Sequence, residues 1–105
     1  MSNKYLLVYR GGGMPEGEAA QQAVMAAWGE WFGRLGAAVA DPGNPASRSR
    51  SIAANGTVSA EGQPSVSGYS ILSADSLDAA VQLAKGCPVL AGGASIEVVE
   101  TPELM

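Results

Sequence analysis

The order of two hydrophobic periodicities along the chain limits its possible folds more than any other feature. Short apolar runs of strand length occupy residues 4–9, 68–73 and 95–100, and two segments with apolar residues three and four positions apart lie between them. A short apolar run bounded by Gly or Pro indicates a strand, and a period near 3.6 residues indicates a helix buried on one side. The pattern therefore predicts strands alternating with two helices.

The longer helical segment follows Pro15 and ends before Gly36. Glu16 and Glu18 fall in its first turn, where the helix dipole favours anionic side chains. Gly36 suits the position just past a helix end, because glycine adopts positive φ without strain. The apolar positions that share one face of this helix are Ala20, Val24, Ala27, Trp28, Trp31 and Leu35.

The middle of the chain carries the signals of a β-hairpin. Residues 41–45 contain two prolines and are expected to form a loop. Serines alternate with larger side chains over residues 47–52, which predicts a strand. Asn55 and Gly56 follow, and Asn-Gly between two such runs indicates a tight hairpin turn with positive φ at both positions. A second strand is then expected to begin at Thr57.

The second helix and the last strand complete the order. Asp75 or Ser76 caps this helix, Gly86 ends it and Pro88 prevents its resumption. The order strand, helix, hairpin, helix, strand is βαββαβ, so residues 1–105 are expected to form one α+β, ferredoxin-like domain. An antiparallel sheet with both helices on one face leaves the other face bare. In so short a chain a second copy is its expected cover, which predicts a homodimer.

Composition indicates how the core is filled. Hydrophobic residues make up 47% of the 105 residues and aromatic residues only 6%. A chain of this length buries a core without needing a disulfide or a structural metal. We therefore expect small side chains to pack around a few large ones, namely Tyr5, Tyr9, Trp28, Trp31, Phe32 and Tyr69.

Charge and cysteine content exclude several classes of partner. The net charge is −4, and the six basic residues form no patch, so nucleic-acid binding is not expected. The first apolar run is too short for a signal peptide or a membrane span, so we expect a cytoplasmic protein without membrane contact. A single cysteine, Cys87, excludes an intrachain disulfide and a multi-cysteine zinc site. No metal or cofactor is expected.

The chain contains no histidine, the side chain most often used for proton transfer near neutral pH. Acid–base chemistry would have to use Glu97, Asp41 or a tyrosine. The Tyr9 hydroxyl could orient a ligand, although an amphipathic residue at the edge of the core is the favoured interpretation. Glu97 interrupts the apolar last strand, and in a cavity its carboxylate would be a candidate general base. Strand alternation instead favours a solvent-facing Glu97 between inward-facing Ile96 and Val98.

Three further features can each be interpreted either as part of a functional site or as purely structural. Arg48 and Arg50 have the same strand parity and could grip a carboxylate or phosphate, although a charged edge strand is the favoured interpretation. Residues 11–13, all glycine, lack the lysine of a phosphate-binding loop and predict a flexible connection. Cys87 follows a helix end, where the dipole disfavours a thiolate, so a structural thiol is expected.

The sequence resembles the YCII-related family, also called DGPF-domain proteins, over nearly its whole length. Two features of that family are missing. The Asp-Gly-Pro-Phe signature is represented only by residues 61–64, Glu-Gly-Gln-Pro, and no histidine is present to pair with Asp41. The segments that carry the resemblance are residues 4–9, the Trp28-x-x-Trp31 helix ending at Leu35-Gly36, residues 68–72, the second helix from residue 76 to Cys87-Pro88, and residues 96–98.

The resemblance implies a ferredoxin-like fold assembled as a dimeric α/β barrel with a cleft in each half. Most members have no known activity, and the His–Asp chemistry proposed for some does not transfer to a chain without histidine. Dimeric barrels of this kind line their cavity from the first helix. Trp31 is therefore the better pocket candidate of the two tryptophans, although core packing is expected for both.

We expect a homodimer that binds a small apolar or anionic molecule. The pocket candidates are Tyr9, Trp31, Arg48, Arg50 and Glu97. One alternative is a small dimeric-barrel enzyme, an isomerase or a cofactor-free oxygenase, and another is a structural or regulatory module that binds a partner protein. An ionisable group facing an open pocket would favour the enzyme, a pocket without one would favour the binding protein, and the lack of a pocket would favour the module.

Overall fold

The computed structural model describes residues 3–13 and 15–103, and within them the chain forms a four-stranded antiparallel sheet with two α-helices. The α+β class predicted from the sequence is confirmed. The strand order across the sheet is β2-β3-β1-β4. The elements are β1 (Asn3–Arg10), α1 (Glu18–Leu35), a 3₁₀ turn (Gly36–Ala38), β2 (Val39–Asp41), β3 (Gly68–Ala74), α2 (Leu77–Ala84), a second 3₁₀ turn (Pro88–Leu90) and β4 (Ser95–Glu100).

Strand β1 lies at the centre of the sheet and defines its two faces. Leu7 pairs with Ser70 of β3 on one side and with Val98 of β4 on the other. Successive side chains of a strand point to opposite faces. Tyr5, Leu7 and Tyr9 are buried beneath the helices, with Leu7 0% exposed.

Both helices pack against this same face, as the sequence predicted. Trp31 of α1 joins Leu7, Tyr9 and Leu72 in one core cluster, together with Ala84 of α2. The Trp31 indole N–H donates to the carbonyl of Leu83 at 3.2 Å and so ties α1 to α2. Small alanines on α2 let the helix lie close to the sheet, which is how a chain with few aromatics fills its core.

The opposite face of the sheet carries apolar side chains but no helix. Leu6, Val8, Ile71 and Val99 are only partly buried there, and Tyr69 is 36% exposed. Tyr69 and Ile71 share this face. Tyr69 is nevertheless not a core anchor, because an odd position in β3 points away from the helices. We call this surface, formed by Leu6, Val8, Tyr69, Ile71 and Val99, the open face.

The second strand lies earlier in the chain than the sequence predicted. Strand β2 is Val39–Asp41, which ends where the expected loop of residues 41–45 begins, and residues 47–52 form no strand of the sheet. The 3₁₀ turn after α1 places β2 beside β3. The two strands pair antiparallel, and their register shifts between Val39 and Asp41. Three residues are too few to show a period, so the pattern could not identify this strand.

Residues 45–67 leave the sheet as an irregular two-stranded segment, named here the arm. It is held by isolated bridges at Ser49–Gly62 and Ile52–Val58. The radius of gyration is 15.4 Å, against about 13 Å for a compact chain of this length, because the arm projects. The predicted hairpin therefore exists, but it stands outside the sheet.

The turn of the arm differs from the predicted one in its backbone. The carbonyl of Ala53 accepts from the N–H of Gly56 at 2.8 Å, and Gly56 has φ 90°. Asn55 has an ordinary negative φ, so the prediction of positive φ at both positions is wrong. Its side chain instead accepts from the N–H of Thr57 at 2.9 Å. A turn followed by a single positive-φ glycine is a common alternative to the tight Asn-Gly turn.

The end of α1 and the start of α2 agree with the sequence, whereas α1 begins only at Glu18, so Glu16 lies before its first turn, and α2 ends at Ala84, before Gly86. Gly36 follows α1 with φ 55° and donates its N–H to Phe32. Ser76 is the N-cap of α2, and its hydroxyl accepts from the N–H of Ala79 at 3.1 Å, which decides between the two predicted caps. Leu77 begins α2 but is 41% exposed, so it lies outside the buried face that Ala80 and Ala84 form. In residues 3–13 and 15–103 no helix has the length and hydropathy needed to cross a bilayer.

Candidate functional site

Tyr9 lies in the core at the end of β1 and is 4% exposed. Its hydroxyl donates to the Oγ of Ser70 at 2.7 Å, and Ser70 in turn donates to the carbonyl of Pro42 at 2.7 Å. Burial raises the pKa of Tyr9 far above its ordinary range. A phenol that is buried, hydrogen-bonded and hard to ionise is a structural group and a poor general base.

The two tryptophans of α1 occupy different environments. Trp31 is 2% exposed and belongs to the core cluster. Trp28 is only partly buried and lines a cleft beside the helix. Core packing was expected for both tryptophans, and Trp31 follows that expectation. Trp31 was also the better pocket candidate of the two, but the residue that lines the cleft is Trp28.

Arg48 and Arg50 both lie on the arm, where they hold its two sides together. Arg48 pairs with Glu61 at 3.4 Å, with its side chain 75% exposed. The Nε of Arg50 donates to the carbonyl of Ser59 at 3.0 Å. An exposed ion pair of this kind contributes little to stability. The two guanidiniums cross-link the arm and do not converge on a common anion site.

The acidic candidates for proton transfer also lie apart from the cleft. Glu97 is on the open face and accepts from Arg10 at 2.6 Å, with its side chain 56% exposed. Ile96 and Val98 pack against the core, as strand alternation predicts. Asp41 accepts from the N–H of Gly43 at 2.8 Å and so shapes the base of the arm. The five predicted pocket residues are therefore not gathered into one site.

The candidate site is a cleft of about 720 Å³ between α1 and the loops at one end of the sheet. One wall is the stripe Ala23, Val24, Ala27 and Trp28 on α1. The spacing of these residues, one turn apart in pairs, puts them on one side of the helix. This volume falls within the range of about 300–1,000 Å³ that small-molecule sites occupy.

Three loops form the remaining walls of the cleft. Residues 11–13 follow β1, Val89 and Gly92 belong to the loop before β4, and Pro45 and Ser67 are the two ends of the arm. A Cβ on Gly12 would lie 2.9 Å from the Cβ of Ala94, so glycine is needed where the first two loops meet.

The base of the arm is fixed where it enters the cleft. The N–H of Ser67 donates to the carbonyl of Tyr9 at 2.6 Å, and the carbonyl of Ser67 accepts from Ala46 at 2.9 Å. These bonds hold Ser67 beside Tyr9. The arm therefore contributes to the cleft with its anchored ends, although its tip is exposed.

The chemistry of the lining is apolar and neutral. Among the lining residues that the structure describes, none has an ionisable side chain. Cys87 precedes the loop of Val89 but is 3% exposed, and burial raises the pKa of its thiol. No three His, Cys, Asp or Glu side chains come together as a metal site in residues 3–13 and 15–103. The cleft can hold a molecule, but its described side chains offer no nucleophile and no general base.

The sequence contained one signal for this cleft. The apolar stripe of α1 runs over about four turns, longer than the part of the helix that covers the sheet. Trp31 and Leu35 pack in the core, whereas Val24 and Ala27 line the cleft. The sequence pattern shows an apolar face but not what it contacts, so these residues could not be separated from the core.

The comparisons with known proteins add no family to this description. No protein-family model matches the chain, and the search of curated proteins found no match. The resemblance to the YCII-related family stays a prediction from the sequence.

Proposed function

We propose that the protein binds a small molecule in the cleft between α1 and the glycine-containing loops. The observation that carries this proposal is a cleft of about 720 Å³ with an apolar lining that includes Trp28 and Val24. Protein sites for small molecules are typically concave and apolar with a few neutral polar groups. Ser67 supplies such a polar group at the base of the arm.

The geometry supports a binding protein better than an enzyme. Glu97 is paired with Arg10 on the open face, and Asp41 is engaged with the Gly43 amide. Tyr9 is buried and holds its proton firmly because burial raises its pKa. A general base must come within hydrogen-bond reach of the proton that it removes. None of the three is among the described residues that line the cleft.

The proposed working form is a homodimer of YCII-like, ferredoxin-like subunits packed through their open faces as a dimeric α/β barrel. The strand order β2-β3-β1-β4 and the position of both helices on one side support this arrangement. The open face is apolar at its centre, with Leu6, Val8 and Ile71, and it carries the Arg10–Glu97 pair towards one end. An apolar patch with a polar rim is typical of a protein interface.

A fragment screen by heteronuclear NMR tests the binding function without assuming a ligand class. The library contains neutral, anionic and cationic fragments at millimolar concentration. We expect at least one class to shift the amides of Gly12, Gly13 and Gly92. A spectrum unchanged by every class would overturn the proposal.

Two substitutions on α1 form a matched pair for this screen. Ala27→Phe fills the cleft and is expected to abolish the shifts, whereas Ala26→Phe, on the exposed side of the helix, is expected to keep them. If Ala27→Phe does not fold, Ala23→Phe replaces it, because Ala23 also lines the cleft at a more exposed position. Shifts that survive in the folded cleft variant would assign the binding to another surface.

A further inference from the structure

We infer that the cleft selects uncharged, planar aromatic molecules and discriminates against carboxylates and other anions. This inference rests on the proposed function, because it specifies the ligand class of that same site. The described lining joins the indole of Trp28 to the aliphatic side chains of Val24, Ala27 and Val89. Of the apolar and anionic ligands expected from the sequence, this lining favours the apolar ones.

An anion would find no compensating charge in the cleft. Moving a charged group out of water is costly unless it meets an opposite charge or several hydrogen bonds. The described lining has no cationic side chain. Arg10 precedes the glycine residues of the cleft, but its guanidinium lies 2.6 Å from the carboxylate of Glu97.

Two acidic residues near the cleft also disfavour the binding of anions. Glu16 follows the lining residue Pro15, and Glu18 begins α1. Both are exposed, and the whole chain has a net charge of −4. Their field lowers the local concentration of anions and leaves that of neutral molecules unchanged.

An aromatic ligand would extend an aromatic cluster that is already present. The ring centroid of Trp28 lies 5.6 Å from that of Tyr9 and 5.8 Å from that of Trp31, both in edge-to-face geometry. Phe32 lies 5.6 Å from Trp28 on a tilted plane. Neighbours on several sides restrict the motion of the indole, so a flat ring in the cleft would meet a positioned surface. Aromatic pairs favour such edge-to-face or offset contacts.

The polar groups of the lining are neutral and few. Ser67 provides a hydroxyl, and its backbone is held by the bonds to Tyr9 and Ala46. A hydroxyl on such an anchored backbone can orient a ligand through one hydrogen bond and gives little affinity to a formal charge. The inferred ligand is thus a flat ring system with a neutral polar substituent.

Three naphthalene derivatives that differ in charge test this inference. Naphthol, naphthoate and naphthylmethylammonium share one ring system, and calorimetric titration gives the dissociation constant of each. We expect naphthol to bind at least about tenfold more tightly than naphthoate. The carboxylate of naphthoate would lose bound water in the cleft, and no cationic side chain there would compensate for that loss. The preference should disappear in Ala27→Phe and persist in Ala26→Phe.

The outcomes separate this inference from the proposed function. Equal or tighter binding of naphthoate or of naphthylmethylammonium, relative to naphthol, would overturn the uncharged ligand class but leave a binding cleft. Failure of naphthol to bind, with other fragments still shifting the cleft amides, would also overturn the class alone. Failure of every fragment in the NMR screen would overturn both.

Discussion

The hydroxyl of Tyr9 and the Oγ of Ser70 lie 2.7 Å apart inside the core, on two strands that are 61 residues apart in sequence. Ser70 is 0% exposed, and its hydroxyl donates to the carbonyl of Pro42, which lies between the end of β2 and the arm. The pair therefore links the central strand to the base of the arm. Its buried polar atoms all have partners, which is the condition for such a network to be stabilising.

Removal of Ser70 should cost more stability than removal of the Tyr9 hydroxyl. Ser70→Ala leaves the Tyr9 hydroxyl without its acceptor and Pro42 without its donor, at a cost of about 1–3 kcal/mol. Tyr9→Phe leaves Ser70 bonded to Pro42 and should cost about 1 kcal/mol. Urea unfolding of both variants and of the double variant measures the coupling. A Ser70→Ala protein that is as stable as Tyr9→Phe would contradict this prediction.

The free energy of unfolding should fall at alkaline pH. Burial raises the pKa of Tyr9 above its ordinary 10.0 and that of Cys87 above its ordinary 9.0. Above these ordinary values the unfolded chain releases the protons while the folded chain keeps them, so stability is full below about pH 8 and is lost as pH rises. The slope approaches about 1.4 kcal/mol per pH unit for each group.

Tyr9→Phe provides the control for this pH dependence. It removes one of the two buried acids and leaves every other titrating group in place. The difference in unfolding free energy between the wild-type and variant proteins should change above pH 10, as measured by urea unfolding across pH. Parallel curves up to pH 11 would show that the Tyr9 phenol does not contribute.

Gly43 should be essential to the base of the arm. It has φ 76°, and a Cβ there would lie 1.7 Å from the carbonyl oxygen of Tyr69. Gly43→Ala should therefore destabilise the protein by at least about 2 kcal/mol. Gly33→Ala is the matched control, because its Cβ meets nothing within 4 Å, and it should stabilise α1 by about 0.5–1 kcal/mol. Thermal unfolding compares the two, and similar effects of both substitutions would refute the prediction.

A charge at the centre of the open face should separate the proposed dimer. Ile71→Asp places a carboxylate among Leu6 and its neighbours and should raise the dimer dissociation constant at least about 30-fold. Ala26→Asp, on the exposed side of α1, should have no such effect. Sedimentation equilibrium measures both. A wild-type protein that is monomeric at micromolar concentration would exclude the dimer itself.

The elements with a long period or a strong cap were predictable from sequence. Helix α1 and its end at Gly36, the cap at Ser76 and the strand Ser95–Glu100 agree with the pattern. In each case neighbouring residues carry the information, through amphipathic spacing, a capping hydroxyl or a run of β-branched side chains. Alternation also assigned Glu97 to the solvent side of its strand.

Strand β2 and the site depended on contacts between distant segments. Val39–Asp41 is a strand only because β3 pairs with it, and no local pattern distinguishes three residues from a loop. Which of Trp28 and Trp31 lines the cleft also depends on contacts with distant segments. Both lie on one apolar face of α1, and only the placement of the loops at residues 11–13 and 88–92 decides which indole the cleft exposes.

The sequence by itself determined the α+β class, the two helices, the uncovered second face of the sheet and the lack of a histidine-based mechanism. These follow from periodicity and residue type, which are local properties of the chain. The tertiary structure alone decided that the predicted hairpin stands out as an arm, that Arg48 pairs with Glu61 whereas Glu97 pairs with Arg10, and that an apolar cleft lies beside Trp28. The physical reason is that a site forms where segments far apart in sequence meet, and its geometry depends on their packing.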